Sequence, residues 1–243
     1  MSELLLDVGQ MRDPEARIER TFAAGVLPTD QSICRITAPV ALSVVVRKDR
    51  MQFRLAGRLN GAYIHPFDDP SVWAGHATMI HEAAEEVSMP GAVVVSVGGG
   101  GLLCGVVQGM KEVGWSHVPV LAVETRGADS FAKAVAAGRL VTLDAITSIA
   151  TTLGARTVAP EALAWAGRRE IVPWVVTDRS AVQACVRFAD DHRVLVEPAC
   201  GASLSAVYDR ADPLRNRRSV LVIVCGGAGV TRESLTSWEE QTR

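Results

Sequence analysis

The 243-residue sequence has no excess of charge of either sign, since 25 lysines and arginines are balanced by 27 aspartates and glutamates. A nucleic acid or an anionic membrane surface normally binds a basic patch, so we expect neither partner. The first residues lack the basic region of a signal peptide, and no uninterrupted apolar run is long enough to span a bilayer. The expected location is therefore the cytoplasm.

The sequence also lacks the common motifs in which cysteine, serine or histidine binds a metal or acts as a catalytic residue. No CxxC pair occurs, which argues against structural zinc. The five cysteines are far apart: Cys34, Cys104, Cys185, Cys200 and Cys225. No GxSxG motif occurs and Cys104 has no obvious general base, so a hydrolase is not expected. His76 and His81 do not share a helical face, and we expect packing or surface roles for them rather than metal binding.

A regular alternation of apolar runs and helical segments begins near residue 61. Four short runs rich in β-branched residues are apolar on both faces, as buried strands of a parallel sheet are. They cover residues 92–97, 118–123, 171–176 and 219–225. Segments with helical spacing lie between them, and one of these opens at Pro198. We predict an α/β fold with a layered, mostly parallel sheet and flanking helices.

Residues 1–59 do not follow this alternation. A short helix over 14–24 and an apolar run over 41–46 are expected there, but no motif is found. We predict a boundary near Asn60 between an unassigned segment, 1–59, and an α/β unit, 60–243.

The most informative stretch is SVGGGGLLCGVV, residues 96–107, in which four glycines stand between a predicted strand and a predicted helix. Glycine is costly to hold in one conformation, so four in succession indicate a tight turn or the close approach of a ligand. The N–H groups of a turn that enters a helix are a natural site for phosphate.

The spacing of the glycines distinguishes between the kinds of phosphate ligand that such a turn could bind. The third glycine of a dinucleotide fingerprint would fall on Leu103 or Cys104, and a triphosphate loop would need a lysine that is absent. A cofactor with a single phosphate remains, beside the plain alternative that Gly98–Gly101 only permit a tight turn. Glu124 ends the next strand, where a ribose-binding acid would stand, and from the residues alone it is expected to be solvated.

Several long segments resemble one family in the family's own order. They include YIHPFDDPSVWAGHA, AVVVSVGGGGLLCGVVQGMKEVGW, VPVLAVETRGADSF, RVLVEPACGASLSAVY and VLVIVCGG. The family is that of L-serine dehydratase/L-threonine deaminase, fold-type II enzymes that use pyridoxal 5′-phosphate, and the resemblance covers about residues 60–227. It implies that 60–243 corresponds to the C-terminal part of the family's large domain.

The resemblance implies a set of cofactor-binding residues. The tetraglycine loop, Gly98, Gly99, Gly100 and Gly101, would bind the phosphate through backbone N–H groups, with Leu102 opening the helix. Cys225 would face the pyridine nitrogen, where a neutral thiol favours β-elimination over transamination. The expected substrate is a small amino acid, L-serine or L-threonine, and the family also implies a homodimer.

The family further implies a monovalent cation of the potassium type beside the cofactor. One carboxylate and several main-chain carbonyl groups hold it, and similarity places these ligands at Glu124, Ala128, Leu153 and Ala155. A carbonyl ligand can come from any residue type, so the family's valine can be replaced by Ala155.

One family element has no counterpart in the sequence. The family's lysine, which binds the cofactor as a Schiff base and moves the Cα proton, lies in a segment of the type SGSFKIRG, and an SSGNAG-type loop follows it. Neither is present, and the lysines are Lys48, Lys111 and Lys133 only. Two hypotheses therefore stay open: an L-serine (L-threonine) ammonia-lyase, or a truncated, non-catalytic homologue that binds the cofactor phosphate or a complete subunit.

Overall fold

The computed structural model describes residues 64–224, 226–227 and 229–243, and it also describes the backbone of residues 2–7. The strands in these ranges are β1 Ser2–Asp7, β2 Ala92–Ser96, β3 Val120–Thr125, β4 Ile171–Val176 and β5 Ser219–Val224. The α-helices are α1 Pro70–Glu86, α2 Gly101–Glu112, α3 Ser130–Ala137, α4 Pro160–Arg168, α5 Asp178–His192, α6 Pro198–Tyr208 and α7 Arg232–Gln241. The expected helix over 14–24 and apolar run over 41–46 lie outside the described residues.

The strands form a single sheet in the order β1-β5-β2-β3-β4. Strands β5, β2, β3 and β4 are parallel to one another, with Val94 opposite Val222 and Ser96 opposite Val123. Strand β1 runs antiparallel to β5 along its outer edge. The predicted α/β class and the four predicted strands are confirmed, and β1 was not predicted. The division near Asn60 stays a prediction.

Two apolar layers cover the two faces of this sheet. Val94 points to one face and packs into a cluster with Phe188 of α5 and Leu204 of α6. Val93 points to the opposite face and packs with Leu103 of α2. Because both faces are covered, every residue of β2 and β3 is buried, which explains why both strands are apolar up to the polar residues at their carboxyl ends.

The N-terminus of α1 is capped by a residue type that commonly caps helices. Asp69 is the N-cap of α1 and its side chain accepts a hydrogen bond from the Ser71 N–H group at 2.8 Å. This satisfies one of the N–H groups that a helix start leaves unpaired. The sequence PFDDP, residues 66–70, thus supplies the cap of α1. Within the described ranges, no helix combines the length and apolar character needed to cross a membrane.

Helices α1 and α2 pack closely because α2 presents glycine to α1. A Cβ atom on Gly109 would lie 2.6 Å from the Ala77 carbonyl oxygen and 2.8 Å from the Ile80 Cβ. A Cβ atom on Gly105 would overlap His76 and the Trp73 carbonyl oxygen. Since α2 opens directly from the tetraglycine loop, this packing fixes where the loop stands.

We expect Gly109→Ala to lower the free energy of unfolding by about 1–3 kcal/mol, because the added methyl group overpacks the α1–α2 contact. Gly75→Ala is the matched control in α1, since a Cβ atom there would meet nothing within 4 Å. That control should stabilise the protein by about 0.5–1 kcal/mol through helix propensity alone. Denaturant unfolding checks both values, and a loss of stability in both variants would contradict the packing explanation.

Candidate functional site

The tetraglycine loop, Gly98–Gly101, lies at the carboxyl edge of the parallel sheet. It follows β2 and passes directly into α2, whose N-cap is Gly100 with φ of 88°. A non-glycine residue is strained at this left-handed angle, so the turn itself needs glycine here. Ligands of open α/β sheets bind at this edge.

The backbone N–H groups of the loop have no acceptor in the part of the chain that the structure describes. The Val97 N–H group donates to the Val123 carbonyl oxygen at 2.8 Å, which ends the strand ladder. The next regular donor is the Cys104 N–H group, which bonds the Gly100 carbonyl oxygen at 2.9 Å. Among the described residues, the N–H groups between these two, including that of Leu102, therefore have no acceptor at this helix N-terminus, and such an arrangement favours an anion.

Three other segments pack against the loop so closely that side chains are excluded from it. A Cβ atom on Gly98 would lie 3.0 Å from the Leu153 Cα, and one on Gly100 would lie 2.7 Å from the Ala162 Cβ. A Cβ atom on Gly99 would overlap the ring of Phe67. Packing alone therefore requires glycine at these positions, which supports the tight-turn alternative. Phosphate binding by the same loop stays a prediction.

Cys225, predicted to face the pyridine nitrogen, lies outside the described residues. Its neighbour Gly226 belongs to the same edge of the sheet, because β5 lies beside β2 in parallel register. The Gly226 N–H group contacts the Cys200 Sγ at 3.2 Å, and a Cβ atom on Gly226 would lie 3.2 Å from Glu197 Oε1. The loops after β2 and β5 thus end side by side.

Glu124 lies at the end of β3 and is fully buried, so the expectation of a solvated strand end is wrong. Its two carboxyl oxygens accept hydrogen bonds from the N–H groups of Phe131 at 2.8 Å and Ala132 at 2.7 Å, in the first turn of α3. Burial raises the pKa of Glu124 to about 8, against the lowering effect of these two N–H groups. Sequence alone did not show that α3 folds back over this strand end.

The three predicted carbonyl ligands lie on two loops that contact each other. Ala128 is fully buried in the turn after β3, and Leu153 and Ala155 lie in the segment that covers Gly98. The Thr147 N–H group of this segment donates to the Gly127 carbonyl oxygen at 3.1 Å, which joins the two loops. Among the described residues, no group of three or more His, Cys, Asp and Glu side chains could hold a metal ion. A cation here would depend on Glu124 and carbonyl oxygens.

Nothing in the sequence pattern distinguishes Ser130 as a site residue. It is the first residue of α3, it is fully buried, and its Oγ has no hydrogen-bond partner among the residues described. The next residue, Phe131, donates its N–H group to Glu124. A serine at a helix start is ordinarily a cap, so only the structure distinguishes this buried hydroxyl group.

The lysines within the described ranges do not lie at the loop. Lys111 is exposed in the last turn of α2, roughly 15 Å along the helix from Gly101 at about 1.5 Å per residue. Lys133 is exposed on α3, with its Nζ 3.0 Å from Asp129 Oδ1. Lys48 lies outside the described residues.

His81, His76 and Cys104, for which the sequence predicts no metal-binding or catalytic role, lie on the surface or in packed positions. His81 Nε2 lies 2.7 Å from Glu112 Oε2 on the surface, and His76 is half-buried between α1 and α2. Burial raises the pKa of the Cys104 thiol to about 12, so it carries no thiolate near neutral pH.

Comparison with known proteins gives one family. A family model described as "Pyridoxal-phosphate dependent enzyme" matches residues 25–226. A "Serine dehydratase-like" protein of Rattus norvegicus is 50% identical over 198 residues, which are 77% of this chain and 60% of that protein. The "L-serine dehydratase/L-threonine deaminase" of Homo sapiens is 49% identical over 191 residues, which are 74% of this chain and 57% of that protein.

Solved structures show the same fold. A fungal L-serine ammonia-lyase from Rhizomucor miehei superposes with a TM-score of 0.73 at 36% identity, covering 76% of this chain and 61% of that one. Maize serine racemase gives a TM-score of 0.70 at 26% identity, with 79% and 60% covered. The chain spans less than two thirds of the length of each of these relatives.

Proposed function

Because the chain belongs to the family of pyridoxal-phosphate dependent enzymes, we propose that it forms the phosphate-binding part of an L-serine (L-threonine) ammonia-lyase. The observation that carries this proposal is the run of N–H groups at Gly98–Gly101 that have no acceptor among the described residues, at a helix N-terminus on the carboxyl edge of the sheet. The dehydratase names of the relatives, at about half identity, support the reaction class.

The residues present fit the phosphate group of the cofactor. The N–H groups of Gly98–Gly101 and Leu102 would donate charge-assisted hydrogen bonds to its oxygens, and the dipole of α2 would add to them. Cys225 would stand at the pyridine nitrogen as a neutral thiol. When bound, pyridoxal phosphate supplies an electron sink for bond breaking at the amino-acid Cα. The products expected of the complete ammonia-lyase are pyruvate or 2-oxobutanoate and ammonia, and its expected assembly is a homodimer.

A monovalent cation of the potassium type is the second ligand that we propose. The Glu124 carboxylate and the carbonyl groups of Ala128, Leu153 and Ala155 would hold it, and the Ser130 hydroxyl group would add a neutral oxygen. Supporting this, Glu124 and Ser130 are both fully buried and the Ser130 Oγ has no described partner. A cation would compensate the charge of a buried carboxylate, which is otherwise costly.

A second candidate function is favoured by the positions of the lysines. Lys111 and Lys133 are exposed on α2 and α3 and belong to no site at the loop. In this second function, the 243-residue chain binds pyridoxal phosphate without forming a covalent bond and without turnover. It does so either alone or in a complex with a complete subunit.

Borohydride reduction of the purified chain with pyridoxal phosphate, followed by peptide mass spectrometry, distinguishes these candidates. We expect phosphate-competitive binding of the cofactor, no reduced adduct on any lysine and no pyruvate from L-serine. Pyridoxal, which lacks the phosphate group, is the control ligand and should bind at least about tenfold more weakly, since one lost charge-assisted hydrogen bond costs that much. An adduct on Lys48 together with turnover would instead establish the chain as a complete ammonia-lyase.

A further inference from the structure

The segment that covers Gly98 is a closed loop over residues 143–156. Its ends are tied by two hydrogen bonds, from the Leu143 N–H group to the Arg156 carbonyl oxygen at 2.8 Å and from Arg156 Nε to the Leu143 carbonyl oxygen at 2.6 Å. Ala150 and Leu153 of the loop bury their side chains in the apolar cluster on one face of the sheet, together with Val94 and Leu204. Because the ends of the loop are joined, the position of the rest of it depends on the polar contacts that hold it to the scaffold.

One carboxylate holds the middle of the 143–156 loop. Asp178, the first residue of α5, accepts a hydrogen bond from Ser148 Oγ at 2.5 Å on one oxygen. Its other oxygen accepts the Ile149 N–H group at 3.0 Å. Both bonds reach the loop from the end of β4, which is part of the sheet. The carboxylate therefore fixes the loop at two adjacent residues.

The bond to Asp178 decides the direction of the other hydrogen bonds of Ser148. An ionised carboxylate only accepts hydrogen bonds, so the Ser148 hydroxyl group donates its single proton to Asp178. Thr125 Oγ1, 2.7 Å away, must then donate to Ser148 Oγ, and the Ala150 N–H group also donates to it at 3.0 Å. Thr125 is fully buried and Ser148 nearly so, which strengthens such a chain of bonds. The network ties the loop to the end of β3 beside Glu124.

The network acts on residues that we have assigned to ligand binding. Leu153 of the loop packs on Gly98, and the carbonyl groups of Leu153 and Ala155 are the proposed cation ligands. We propose that Asp178 is a positioning residue for the phosphate and cation sites: it fixes the 143–156 loop through Ser148 and Ile149, so that Leu153 holds the tetraglycine loop in its binding conformation. This inference rests on the proposed function.

Asp178 also stands in the first turn of α5, where any carboxylate stabilises a helix. Ser148→Ala separates the two roles, because it removes the bridge to Thr125 and leaves the Asp178 charge at the helix start. Asp190→Asn is the control for charge, since Asp190 is exposed on the same helix and its side chain makes no hydrogen bond within the described residues.

The experiment measures pyridoxal phosphate affinity and amide hydrogen exchange in the full chain and in these variants. We expect Asp178→Ala to weaken cofactor binding about tenfold, and Ser148→Ala to do so about fivefold, since both remove charge-assisted hydrogen bonds. The double variant should bind no more weakly than Asp178→Ala, because both changes break one network. Exchange of the Ile149 and Ala150 amides should accelerate, and Asp190→Asn should change neither quantity.

The outcomes separate this inference from the function on which it rests. If the unsubstituted chain binds the cofactor and both variants bind it equally well, the positioning role is overturned while the proposed function stands. Faster exchange at Ile149 and Ala150 with unchanged affinity would also overturn it, because the network would then be structural only. If the unsubstituted chain binds neither pyridoxal phosphate nor inorganic phosphate, the proposed function fails and this inference with it.

Discussion

Gly100→Ala is expected to weaken pyridoxal phosphate binding about a hundredfold, roughly the loss of one or two charge-assisted hydrogen bonds. Gly100 has φ of 88°, and an added Cβ atom would lie 2.7 Å from the Ala162 Cβ and 2.8 Å from Val158 Cγ2. Relief of this contact must move the loop, since α4 on the other side belongs to the packed core. The N–H groups of the loop would then no longer converge on one anion.

Gly114→Ala is the matched control for Gly100→Ala. Gly114 also has a left-handed φ, 82°, but it follows α2 at the end remote from the loop and a Cβ atom there meets nothing within 4 Å. Both substitutions should cost about 1–2 kcal/mol of stability through the left-handed backbone. Isothermal titration with pyridoxal phosphate should find weaker binding in Gly100→Ala only. Equal affinity in the two variants would show that the cofactor does not use this loop.

Glu124→Gln is expected to abolish the stabilisation of the chain by potassium ions. When potassium chloride replaces choline chloride at constant ionic strength, the unsubstituted chain should gain about 1.4 kcal/mol at a potassium concentration ten times the dissociation constant. Glutamine keeps the shape of Glu124 but carries no charge to pair with a cation. Thermal unfolding at increasing potassium concentration measures this gain in each variant.

The comparison rests on the potassium-dependent gain, because Glu124→Gln also alters the bonds from Phe131 and Ala132 and lowers stability in every salt. Glu170→Gln is the control, since the exposed Glu170 carboxylate lies just before β4 and, within the described residues, forms an ion pair only with Arg217, at 3.8 Å. It should keep the full gain. A potassium gain that survives in Glu124→Gln, or that is missing from the unsubstituted chain, would contradict the assignment of Glu124.

The strands and the tetraglycine turn could be predicted because their causes are local. A strand covered on both faces is apolar along nearly its whole length, as β2 is before Ser96, and a strand that leads into four glycines before an apolar helix has few alternatives. The fold class followed from the alternation of these segments. Strand β1 could not be predicted in the same way, because its pairing with β5 joins residues at opposite ends of the chain.

The surroundings of single polar residues depended on contacts distant in sequence. Glu124 ends a strand in a way that indicates exposure, and only the return of α3 over the sheet buries it. The Ser148 network joins residues 23 and 30 positions apart along the chain. Nothing in the local pattern around Thr125, Ser148 or Asp178 distinguishes them from ordinary loop and cap residues. The resemblance located Ala128, Leu153 and Ala155 as cation ligands, and that assignment stays a proposal.

The central claim is that the N–H groups of Gly98–Gly101 bind the phosphate group of the cofactor. Proton–nitrogen correlation spectra of the chain labelled with ¹⁵N-glycine, titrated with pyridoxal phosphate and then with competing inorganic phosphate, test it most directly. We expect the resonances of these four glycines to shift on addition of the cofactor. Inorganic phosphate should displace the cofactor and keep these resonances near their bound positions. Gly75, which lies open on α1, should not shift. Saturable binding that leaves Gly98–Gly101 unmoved would contradict the account.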